Sequence, residues 1–96
     1  LTSDIEFSFE QLAKIRTEFK KNKEQLMQIL REELERDPQR RFQTFQQDGQ
    51  IVVKQLSMEE AMEQDEQLKK NLKQLEMQFS KKYNTVKEKI SNIINN

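Results

Sequence analysis

A single proline and a single glycine, Pro38 and Gly49, punctuate the chain, and both fall in the segment DPQRRFQTFQQDGQIVVKQL at residues 37–56. Proline fixes φ and lacks an amide donor, and it disfavours helical geometry at the residue before it, so a helix arriving from the N-terminal side must end by Arg36 or Asp37. Glycine alone takes positive φ without steric cost. The stretches on either side carry helical periodicity, so the sequence predicts one long helix out, a reorganising connector, and one long helix back.

The outgoing helix is read over residues 8–36. Ser3-Asp4-Ile5-Glu6 and Ser8-Phe9-Glu10-Gln11 both fit a capping box, so its start has two candidates a turn or more apart. Leu12, Phe19 and Leu26 recur every seven residues, followed at three by Ile15, Asn22 and Ile29, and Leu30 and Leu34 extend the stripe. The returning helix is read over 57–94. Ser57-Met58-Glu59-Glu60 is a capping box with Leu56 at the staple position. Leu68, Leu72, Leu75 and Phe79, then Tyr83, Val86, Ile90 and Ile93, form its stripe across one four-residue stutter. Five acids lie within residues 59–66, and Lys81, Lys82, Lys87 and Lys89 dominate the far end. An antiparallel return sets the acids near Arg31 and Arg36 and the lysines near Glu6 and Glu10; a parallel one sets acid against acid.

The connector, 37–56, admits two readings. In one, Asp37 caps a short helix with Pro38 at its first position, Phe42 and Phe45 share a face, and Gly49 ends it. In the other, Asp48-Gly49 is the two-residue turn of a β-hairpin that sets Phe45 opposite Val52 and Thr44 opposite Val53. The short helix is preferred, because Asp-Pro with a glycine stop is a complete helix grammar. Ile51–Val53 is β-branched and extended in either case; under the helical reading its amides have no local partner, which points to a contact with another chain.

Hydrophobic residues make up 33% of the chain and charged ones 35%, so a large core is excluded, although regular apolar spacing argues against disorder despite thirteen glutamines. Seventeen basic residues balance seventeen acidic ones, and no overall field draws in nucleic acid or an anionic membrane. With neither cysteine nor histidine, thiolate and imidazole chemistry is absent; an enzyme, a cofactor and a metal are not expected. The carboxylates Glu59, Glu60, Glu63, Asp65 and Glu66 are read as a solvated helix start, and Asp48-Gly49 lacks the ligand spacing of a calcium loop. Arg36, Arg40 and Arg41 beside Phe42 and Phe45 could serve a nucleic-acid adaptor, a disfavoured alternative. No apolar run reaches the roughly 18 residues of a membrane span. The expected location is cytoplasmic, though the sequence opens on Leu1 and a processed N-terminus could have carried a targeting segment.

The stretch Phe45-Gln-Gln-Asp-Gly49-Gln-Ile51-Val-Val53-Lys-Gln55, with the coiled-coil helix after it, resembles the hairpin of a β-type prefoldin subunit, in which an F-x-x-x-G-x-V-x-V-K-Q-like stretch joins two antiparallel helices. The resemblance implies a subunit of a hexameric holdase that uses its helix tips to hold unfolded clients. From the residues themselves the expectation is one all-α domain over residues 1–96: an antiparallel helical hairpin with a structured connector at 38–55. It would act as a non-enzymatic coiled-coil adaptor or assembly subunit, alone as a homo-oligomer or with a protein partner. Candidate contact residues are Arg40, Arg41, Phe42, Phe45, Ile51, Val52 and Val53.

Overall fold

The protein's computed structural model describes residues 2–95. Helix α1 runs from Thr2 to Arg36, a 3-10 turn from Pro38 to Arg41, strands β1 and β2 from Phe42 to Gln47 and Gln50 to Gln55, and helices α2 and α3 from Met58 to Glu63 and Glu66 to Asn95. The chain is mostly helical, with two long helices and a two-stranded antiparallel sheet between them. It is therefore not wholly α. It divides into two compact units, Leu1–Glu24 with Leu72–Asn96 and Gln25–Asn71.

In the first unit, Leu12, Val86 and Ile90 are buried together, with Ile15 and Tyr83 packed on them. The Phe19 and Phe79 rings stack with centroids 4.4 Å apart and planes 13° from parallel, and Phe79 meets Tyr83 at 5.3 Å. Position 12 lies against 86 and 90 while 19 lies against 79, so within this unit α1 and α3 run antiparallel. Neither predicted capping box starts α1, because the helix is already formed at Thr2. Ser8 instead lies inside it, buried, its hydroxyl donating to the Asp4 carbonyl at 2.9 Å, the back-bond that satisfies a serine in mid-helix.

In the second unit the buried apolar residues are Leu30, Leu34, Leu56, Ala61, Met62 and Leu68. The α1 stripe here departs from its heptad. Ile29 is exposed, and burial steps from half-buried Leu26 to Leu30 and Leu34 at intervals of four. A straight helix drifts about 20° per heptad from a strict seven-residue repeat, and successive steps of four follow the core that the heptad leaves behind. Asn22 is exposed for the same reason, and half-buried Lys23 lies with its ammonium 4.5 Å from the Phe19 centroid.

The capping box of α2 forms as its sequence predicts: the Glu60 amide donates to the Ser57 hydroxyl at 3.1 Å, and the Ser57 amide to the Glu60 carboxylate at 3.4 Å. Leu56 and Ala61, the two staple positions, are both buried. The single helix expected over 57–94 is nevertheless broken at Gln64 and Asp65. Asp65 restarts it, its carboxylate accepting from the Leu68 amide at 2.8 Å and its carbonyl from Lys69 at 3.1 Å. An aspartate cap satisfies the amides that a break exposes, so neither glycine nor proline is required.

The acid block is met from the connector and not by Arg31 or Arg36. Arg40 pairs with Glu33 at 3.2 Å and reaches Asp65 at 4.0 Å. Among the described residues the late lysines make no ion pair with Glu6 or Glu10, Lys69–Glu66 being the remaining pair. No described helix is long and apolar enough to cross a membrane.

Candidate functional site: an uncovered β-hairpin

The connector corrects the preferred reading. Only Pro38–Arg41 is helical, as a 3-10 turn, and Gly49 turns a hairpin where it was expected to stop a helix. Asp48 and Gly49 have φ of 52° and 76°. Positive φ at both central residues defines the mirror-image turn whose twist matches that of paired strands. Phe45 then faces Val52 and Thr44 faces Val53, so Ile51–Val53 does have a partner strand within the chain.

Residues directly opposite one another share a face of the ladder. One face carries Phe42, Val53 and Ile51 among Thr44, Gln46 and Gln55; the other carries Phe45 and Val52 among Gln43, Gln47, Gln50 and Lys54. No strand residue is buried: Phe42 is 48% exposed, Phe45 43%, Ile51 72%, Val52 40% and Val53 60%. Gln43 is the half-buried exception, its side-chain amide donating to the Gln64 side chain at 2.6 Å, which ties β1 to the break between α2 and α3. An antiparallel sheet ordinarily covers one apolar face and leaves a polar one wet. Here both faces carry exposed apolar side chains.

The edges are open as well. The Leu56 amide donates to the Arg41 carbonyl at 2.7 Å, closing the base of the hairpin. Antiparallel ladders alternate bonded and non-bonded pairs, so counting from that bond, Gln43–Lys54, Phe45–Val52 and Gln47–Gln50 exchange bonds inside the ladder. The amides of Thr44 and Gln46 on β1, and of Ile51, Val53 and Gln55 on β2, point outward, while the Phe42 amide donates to the Gln39 carbonyl of the 3-10 turn. Strand β1 holds no charged residue and β2 holds Lys54 alone. Proteins usually guard such edges with charge, proline or bulges, and neither strand has more than that lysine.

The arginines do not form an open cationic surface. Arg40 is engaged by Glu33 and Asp65; Arg36 donates to the Glu32 carbonyl at 3.4 Å. Arg41 is half-buried, and its Nε is enclosed with no partner among the described residues. The carboxylates of 59–66 do not converge, and no group of three metal-ligating side chains is present among the described residues. Sequence reasoning missed Gln43 and Asp65. The aspartate before Glu66 was a legible cap signal; the Gln43 tether, between residues 21 apart, left none. No protein-family model, curated protein or solved structure matches the chain.

Proposed function

We propose that this protein is a non-enzymatic protein-binding module whose contact surface is the β1–β2 hairpin. One observation carries the reading: a two-stranded sheet with exposed apolar side chains on both faces and outward donors on both edges. Such a hairpin is marginal by itself in water. Burial of its faces, with addition of a strand to its edge, is the mode by which sheet edges recognise extended chains. The occupant is a second copy of this chain or a partner presenting a strand.

Sedimentation over a wide range of concentration tests this, using Thr44→Pro and an Ile51→Ser/Val53→Ser double variant. Thr44→Pro removes an outward donor and leaves the inner bonds intact, since proline is tolerated on edges. Val52→Pro would break the ladder itself and is not informative about the edge. The wild type should associate as concentration rises and both variants should remain lighter. A wild type that stays monomeric and melts cooperatively at high temperature contradicts the reading.

The pairing of Phe45 with Val52, inside the segment that resembles a β-type prefoldin subunit, favours a second reading as a holdase subunit. In that case the wild type should suppress aggregation of a chemically denatured client at stoichiometric ratio. Failure to do so leaves the adaptor reading alone.

A further inference from the structure

We infer that a groove between α1 and α3 within the first unit binds an acidic amphipathic helix of a partner protein. The groove holds about 380 Å³. Buried Leu12 and Ile90 lie along it, while Phe9 and Ile94 line it more than half exposed. Two cations, Arg16 and Lys87, each lie over the Tyr83 ring 5.7 Å from its centroid. Neither cation is in an ion pair among the described residues, and no acid lines the groove. The unit itself is basic, with ten Lys and Arg against seven Asp and Glu.

Spacing selects the occupant. Lining residues follow at three and four along α1, from Phe9 to Leu12 to Arg16, and at four, three and four along α3, from Tyr83 to Lys87, Ile90 and Ile94. Rows of this kind present the holes into which a third helix sets its knobs. At 1.5 Å per residue the α3 side is about 16 Å long, room for about three turns of a visiting helix. Its leucines would cover Phe9 and Ile94, and glutamates flanking them would meet Arg16 and Lys87. The site shares no residue with the hairpin.

Tyr83 is the only tyrosine and the chain has no tryptophan, so its emission reports on this groove directly. The probe is a three-heptad peptide with leucine at a and d, glutamate at e and g, and no aromatic residue. Controls carry lysine in place of the glutamates, or two prolines that forbid the helix. Titrated against the full chain, the glutamate peptide should change Tyr83 emission saturably, with the lysine and proline peptides at least about tenfold weaker, a difference of roughly 1.4 kcal/mol. Arg16→Glu with Lys87→Glu should weaken the glutamate peptide and admit the lysine one. Arg16→Gln with Lys87→Gln, checked for helicity, should weaken the first without admitting the second. Thr44→Pro should bind like wild type, which separates this site from the hairpin reading. Equal binding of all peptides, or indifference to both double variants, overturns the proposal. So does displacement by sodium oleate with an inert glutamate peptide, which would assign the groove to a fatty-acid anion.

Discussion

Gly49 has nothing within 4 Å of where a side chain would begin, so space does not require glycine there; its φ of 76° does. An L-residue in that conformation costs about 1–2 kcal/mol. Gly49→Ala should therefore destabilise the hairpin by about 1 kcal/mol, and Gly49→Asn by less because asparagine tolerates positive φ. The check is the chemical-shift dispersion and amide protection of residues 42–55. Asp48 already takes positive φ and is the residue type that can do so at modest cost. Asp48-Gly49 was visible in the sequence as a turn of this kind. Its competitor, Asp37-Pro38 with a glycine stop, was equally complete as local grammar. Six residues such as FQTFQQ are too few and too polar to decide between periods of two and 3.6. Cross-strand pairing of Phe45 with Val52 and Thr44 with Val53, the register that the hairpin reading names, settles the conformation.

At the scale of elements, the α3 stripe was legible throughout: Leu68, Val86 and Ile90 are buried and Leu72, Leu75, Phe79, Tyr83 and Ile93 half-buried. The α1 stripe was legible in Leu30 and Leu34, which extend it and are buried, but not at Ile29, where a heptad count continues and burial does not. Thermal and denaturant melts separate the two descriptions. Leu34→Ala should cost about 2–4 kcal/mol and Ile29→Ala a few tenths, with half-buried Leu26→Ala between them. Equal losses at positions 29 and 34 would restore the heptad. The break at Gln64–Asp65 contains neither glycine nor proline, the residues that interrupt a helical pattern most strongly. Aspartate caps a restart just as serine does at Ser57, and the rule that found the first cap would have found the second.

For the whole molecule, balanced charge and low hydrophobicity leave each unit with a small core, and among the described residues no large side chain is less than 2% exposed. Small cores are marginal alone, while the hairpin keeps five apolar side chains and two open edges in water. The candidate residues Phe42, Phe45, Ile51, Val52 and Val53 were chosen from the sequence as apolar and β-branched. Their division between two faces, and the identity of the outward donors, came only with the register. Site-resolved amide exchange, compared between dilute and concentrated protein, tests the proposed contact most directly. The account predicts that Thr44 and Gln46, or Val53 and Ile51, exchange fast when dilute and slow on association, while Phe45 and Val52 are protected at both concentrations. Outward amides that stay unprotected while the protein associates would contradict it.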